Sequence, residues 1–119
     1  MKANDFIGHL FLARDVAHSV HLNTRSYAQH KALQKFYEGL PGLTDDFAEA
    51  YQGRHGLIGP VALQRAEKNE DIVEFIQDSL DAIESGRKDL CGDDTALQNI
   101  IDEIVALYLS TLYKLRFLS

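Results

Sequence analysis

Apolar residues recur three and four positions apart along most of this chain, and nowhere do they alternate with polar ones for several residues in a row. That pattern predicts helices and gives strands no support. A first helix is expected from about Asn4, a good N-cap, to about Leu22, with Phe6, Leu10, Ala13, Ala17 and Val20 on one stripe. A second is expected from about Ser26 to Glu38, with Leu33, Phe36, Tyr37 and Leu40 on one side. Pro41-Gly42 should end it, because proline lacks the backbone donor and clashes with the preceding turn. Thr44 then caps a short third helix that carries Asp45, Asp46 and Glu49 near its positive end. Gly53 to Pro60 is a glycine-rich connection. A fourth helix is expected over about Val61–Ser85, with Ile72, Ile76, Leu80 and Ile83 inward and Gly86 as its stop. The last begins at Asp94-Thr95 and runs to about Phe117, along Leu97, Ile100 or Ile101, Ile104, Tyr108, Leu112 and Leu115. Three long and two shorter helices joined by short turns make an all-α bundle of about five helices.

The length of 119 residues fits one domain, 1–119. Twelve basic and 18 acidic residues leave a net charge of −6. That balance argues against a surface built for nucleic acid or an anionic membrane, since both need clustered Lys and Arg. No window approaches the ~18 apolar residues of a membrane span, and the first residues lack the apolar run of a signal peptide. The single cysteine, Cys91, excludes an intrachain disulfide and points to an intracellular, cytoplasmic chain. Cys91 lies beside Gly92 in an expected loop with no histidine near it in sequence, a poor setting for a nucleophile. The last helix has more apolar residues than one stripe needs, which predicts self-association, at least as a dimer.

All five histidines, His9, His18, His21, His30 and His55, fall in the first 55 residues. His18 and His21 are three apart on the first helix and close to one another, with His21 inside the apolar stripe and His18 at its margin. A core-facing imidazole has two ring nitrogens to satisfy, by hydrogen bonds or by a metal. Asp45 and Glu49 share a helix face, where they either favour the helix dipole or act as ligands. Two imidazoles and two carboxylates form a coherent donor set for iron, manganese or zinc.

The order of these residues resembles a known family. Ala17-His18-Ser19-Val20-His21-Leu22-Asn23 is similar to the His, two residues, His, Trp, Asn stretch of the starvation-induced DNA-protection proteins, the Dps family of the ferritin-like superfamily. Leu22 stands where that family has tryptophan. Tyr27 and His30 resemble its next aromatic and ligand histidine, and Asp45-Asp46-Phe47-Ala48-Glu49 resembles its acidic pattern fifteen residues on. The resemblance covers about residues 11–55. It implies a ferritin-like bundle in which His21, His30, Asp45 and Glu49 bind iron, with His18 as the substitute ligand, and in which the histidines and acids come from different subunits. Ferrous iron binding and oxidation would then be its activity. A more distant likeness is to short ferritin-like proteins of tailed phages, through Arg25-Ser26-Tyr27-Ala28-Gln29-His30 and Ala48-Glu49-Ala50-Tyr51-Gln52-Gly53-Arg54.

Other signals compete. Arg25 with four residues before His30 resembles the active pair of a helical ribonuclease family (the higher-eukaryote and prokaryote nucleotide-binding domains). Gly53, Gly56 and Gly59 have a phosphate-loop spacing, but no strand precedes them. Asp71, Glu74, Asp78 and Asp81 form an acidic row expected to be a solvated face. Three readings follow: a ferritin-like iron protein, a metal-free helical interaction or regulatory protein that is phage-encoded, and a ribonuclease using Arg25 and His30.

Overall fold

The computed structural model describes residues 1–67 and 71–119. Four helices account for its secondary structure: α1 Ala3–Asn23, α2 Tyr27–His55, α3 Ile72–Cys91 and α4 Thr95–Phe117. No strand occurs among the described residues, and no described helix is long and apolar enough to cross a membrane.

The caps explain most of the boundaries. Ser26 accepts from the Gln29 amide at 3.2 Å and starts α2. Asp71 accepts from the Val73 and Glu74 amides and starts α3. Asp94 does the same for Ala96 and Leu97 at α4, and also accepts from Arg54 at 2.8 Å. The hydrogen bond from the Arg54 guanidinium holds the Asp94 carboxyl below its usual range. One aspartate thus caps α4 and ties it to the last turn of α2.

Each helix packs on two others: α1 on α2 and α3, and α4 on α2 and α3. The diagonal pairs are α1 with α4 and α2 with α3. Short turns make α1–α2 and α3–α4 antiparallel hairpins. Arg54 at the end of α2 meets Asp94 at the start of α4, and the side chain of Met1 lies beside Gly86 near the end of α3. Every packed pair is therefore antiparallel, so the helix dipoles oppose one another across each contact. The cost falls on the connection, because α2 and α3 run the same way. The chain between them must return along the whole bundle.

That return strand lies against α1. The Asn4 side chain donates to the Pro60 carbonyl at 3.3 Å, the Ala62 amide donates to the Asn4 carbonyl at 3.2 Å, and Gln64 donates to the Asp5 carbonyl at 3.1 Å. The backbone of Ala62 sits so close to Gly8 that a Cβ there would collide with the Ala62 carbonyl. Gly8 is the gap through which the crossover passes.

The core follows the expected stripes: Phe6, Leu10, Ala13 and Ala17 of α1, Ile72, Ile76, Leu80 and Ile83 of α3, and Leu97, Ile101, Ile104, Tyr108 and Leu112 of α4 are buried. Five expectations are corrected. Helices two and three are one helix, so the described residues form four long helices in place of three long and two shorter ones. Leu33, Phe36, Leu40 and Phe47, on both sides of Pro41, are all fully buried. Each such burial is worth about 1.5–3 kcal/mol, so together they outweigh the ~3 kcal/mol of an interior proline. Thr44 is accordingly no cap; its hydroxyl donates back to the Leu40 carbonyl at 2.8 Å. Asn4 lies within the first turn of α1 and holds the crossover, with Lys2 at the cap position. The helix expected over Val61–Ser85 begins at Ile72, since residues 61–67 are the return strand; the expected stretch 68–70 lies outside the described residues. Gly86 does not stop α3, which continues to Cys91 and ends at Gly92 with φ 56°.

Gly8→Ala should push the crossover off α1 and lower stability by about 1–3 kcal/mol, read as a lower urea midpoint. An unchanged midpoint would show that the strap does not lie there.

Candidate functional site

The sequence-predicted histidines gather where α1 ends and α2 begins. His21 is the inward residue of the last turn of α1 and is buried. Its ring stacks on His30 with centroids 3.6 Å apart. The two residues bond each other reciprocally: His21 Nδ1 to the His30 carbonyl at 2.7 Å, and His30 Nδ1 to the His21 carbonyl at 2.9 Å. A carbonyl can only accept, so both Nδ1 atoms carry the proton. His18 stacks on Tyr37 at 4.1 Å and meets His21 edge-on at 5.9 Å. Tyr37 also contacts His21 edge-on at 5.1 Å. The corner is an aromatic block in which the Nδ1 atoms of His21 and His30 bond carbonyls at the facing ends of α1 and α2.

The acids are elsewhere. Asp45 and Glu49 are exposed on α2. Because α2 is continuous, fifteen residues place Asp45 about 22 Å along the axis from His30. The imidazoles and the carboxylates therefore do not converge within one chain. Among the described residues no group of three or more His, Cys, Asp or Glu is placed to hold a metal ion. Arg25 is exposed ahead of α2, and His30, its partner in the ribonuclease pattern, is bonded to His21. His55 packs on Tyr51 at 4.5 Å, at the far end of α2. Gly53 is helical, while Gly56 and Gly59 have φ values of 89° and 79° and form the exit from α2. Cys91 closes α3 and is not in a loop; burial pushes its thiol up to about 11, which suits packing and not nucleophilic attack.

A second polar group lies in the middle of the bundle. His9 Nε2 contacts both the Ser79 carbonyl at 3.1 Å and the Ser79 hydroxyl at 2.8 Å, and that hydroxyl bonds Tyr108 at 2.8 Å. The carbonyl contact requires a proton on Nε2, so His9 cannot take one from Ser79. A Ser–His nucleophile of the hydrolase kind is thereby absent. The chain links α1, α3 and α4 and leaves no buried side-chain polar atom unpaired among the described residues. The sequence pattern places Tyr108 on the inward stripe of the last helix but gives it no polar partner, and it assigns no role to Ser79. The available signal was Ser79 itself, a hydroxyl on the apolar stripe of Ile72, Ile76 and Ile83.

Fold and corner together define a small four-helix bundle whose buried side-chain polar atoms are all paired among its described residues. The chain belongs to the family of unknown function DUF5856, whose model matches residues 21–115, from the buried His21 through most of α4. It is also 34% identical over 115 residues to the "Uncharacterized 14.6 kDa protein in mobD-ri intergenic region" of Enterobacteria phage T4, a match that covers 96% of this chain and 88% of the phage protein. No solved structure matches it.

Burial lowers His9 below the ordinary histidine value of 6.5, more than its bond to Ser79 raises it. The unfolded chain therefore takes up a proton that the folded chain refuses. The stability from neutral His9 is complete above pH 6.5 and is lost as pH falls towards the depressed folded value. Urea midpoints should drop between neutral and mildly acid pH, and His9→Gln should flatten the drop. An equal drop in the variant would place the acid sensitivity on other groups.

Proposed function

We propose that this chain is a small helical interaction protein of the phage type, and that it associates with itself through α4 and performs no reaction. The observation that carries the reading is a row on the outer face of α4. Leu109, Tyr113 and Phe117 are spaced four apart and are 54%, 55% and 74% exposed. Tyr113 and Phe117 pack on each other, with centroids 6.0 Å apart. Large apolar side chains aligned on one helix, outside a bundle with a complete core, are what an interface uses. The excess of apolar residues in α4 is thus only partly consumed by the core.

A second reading keeps the iron site, built between subunits. It is favoured by the tautomers of His21 and His30: with the proton on Nδ1 and bonded to a carbonyl, each neutral ring keeps its lone pair on Nε2, the form a metal accepts. One long crossover between two hairpins is also the connection class of ferritin-like bundles. This reading needs a second protomer to bring Asp45 and Glu49 to the histidine corner.

One experiment separates the two. Protein purified from iron-replete cells without chelator is passed through size exclusion with light scattering and metal analysis of the peak. The interaction reading predicts a dimer or larger at micromolar concentration, no stoichiometric metal, and monomers for Tyr113→Glu and Phe117→Glu. A wild-type monomer contradicts it. Stoichiometric iron lost in His21→Ala and Glu49→Ala would establish the intersubunit site in its place.

A further inference from the structure

A groove of about 490 Å³ lies between the N-terminal half of α2 and the last turn of α4. Its apolar lining is Tyr27, Ala28, Ala32 and Leu118, and three ammonium groups, from Lys31, Lys35 and Lys114, border it. We propose that this groove binds a partner protein's segment in which carboxylates flank an apolar side chain. The proposal deepens the interaction reading by naming a partner chemistry, and it concerns a different face of α4 from the Leu109–Phe117 row.

Lys31 and Lys35 are four apart on one helix, where like charges repel. Lys114 is brought to Lys35 from the opposite helix. Its ammonium is lowered by burial first and by the charge of Lys35 next. The four ion pairs among the described residues are all made by arginines, Arg14, Arg54 and Arg87, and none includes these lysines. The one acid of the lining, Glu38, accepts from the amide of Gln34 at 2.8 Å. Three ammonium groups around one carboxylate leave a net positive charge that an anionic ligand relieves.

No Asp or Glu occurs from Val16 to Tyr37 or from Ile104 to Ser119, and these stretches hold five of the 12 basic residues, so the rest of the chain carries a charge of −11. The two stretches converge on the α2–α4 side of the bundle, while Asp71, Glu74 and Asp78 at the start of α3 lie at the same end on the helix diagonal to α2. An anionic segment is drawn to the α2–α4 side and turned away from the rest.

The groove suits a peptide over nucleic acid. Three ammonium groups partly offset by Glu38 are too few for a run of phosphates, which is held through many Lys and Arg contacts. The alanine floor and Leu118 suit an apolar side chain, and Tyr27, 76% exposed at the rim, is a residue type enriched in protein interfaces. A helical segment with glutamates four apart matches the roughly 6 Å rise between Lys31 and Lys35.

The test is a nuclear magnetic resonance titration of the full chain. The probes are a capped helical Ala/Leu/Glu peptide of roughly four turns with glutamates four apart, the same peptide with glutamine for glutamate, a short oligothymidylate, and inorganic phosphate. The acidic peptide should give saturable shifts at Tyr27–Lys35 and Lys114–Leu118. Its affinity should fall about tenfold or more in Lys35→Gln and Lys114→Gln, and fall again with added salt. No saturable shift, equal binding of the glutamine peptide, or unchanged affinity in both variants overturns the proposal. Tighter binding of oligothymidylate or phosphate than of the acidic peptide overturns it in favour of a phosphate site. Light scattering of Lys35→Gln and Lys114→Gln separates this result from the α4 interface: retained oligomers with lost peptide binding support both assignments. If these variants become monomers, the occupant is a second copy and the partner assignment fails, while the Tyr113 and Phe117 variants still judge the α4 row on their own.

Discussion

The reciprocal bond between His21 and His30 fastens α1 to α2 and sets the hairpin from which the rest of the bundle is built. Each ring donates to the other residue's carbonyl, at 2.7 and 2.9 Å, and the two rings stack between these bonds. The last turn of α1 leaves the His21 carbonyl without an intrahelical partner, and the three-residue turn to α2 has little backbone to spare for it. The His30 ring supplies that partner, the His21 ring bonds back to a carbonyl in the first turn of α2, and the stacked pair adds aromatic area to the corner. Residues that look like ligands in a linear reading thus act first as the fastening of a hairpin.

The remainder of the bundle follows from a preference for antiparallel neighbours. With α1 and α2 fixed as a hairpin, all four packed pairs oppose their dipoles only if α3 runs parallel to its diagonal, α2. The return strand is the consequence, and Gly8 and Asn4 are the residues of α1 that accommodate it. Two polar ties then lock the layers. His9, Ser79 and Tyr108 join α1, α3 and α4 inside. Arg87 joins α3 to α4 outside, bonding Gln98 at 2.7 Å and Asp102 at 2.6 Å.

Local physics was legible in the sequence and distant contacts were not. The stripes of Phe6 to Ala17, Ile72 to Ile83 and Leu97 to Leu112 were readable because helical period alone sets them, as was the inward place of His21. Pro41 misled because its penalty is local, whereas the burial of Phe36, Leu40 and Phe47 that overrides it depends on other helices. The return strand was hidden for a related reason: nothing near Val61 in sequence shows that Asn4 and Gly8 hold it. The partner of His9 lies seventy positions away, and spacing along the chain carries no trace of it. For the candidate site, spacing paired His18 with His21, and only the resemblance to the Dps family grouped His21 with His30. The linear reading did not suggest their direct stacking. It could not show that an unbroken α2 carries Asp45 and Glu49 out of their reach.

The side-chain nitrogens of the histidines test the account most directly. Long-range proton–nitrogen correlation spectra at neutral pH should show His21 and His30 protonated on Nδ1, and His9 protonated on Nε2. Addition of one equivalent of ferrous or zinc ion should leave the His21 and His30 signals where they are. Nε2-protonated rings at His21 and His30 would contradict the claim that these two histidines serve as a structural fastening, and coordination shifts at both on adding metal would contradict the metal-free reading.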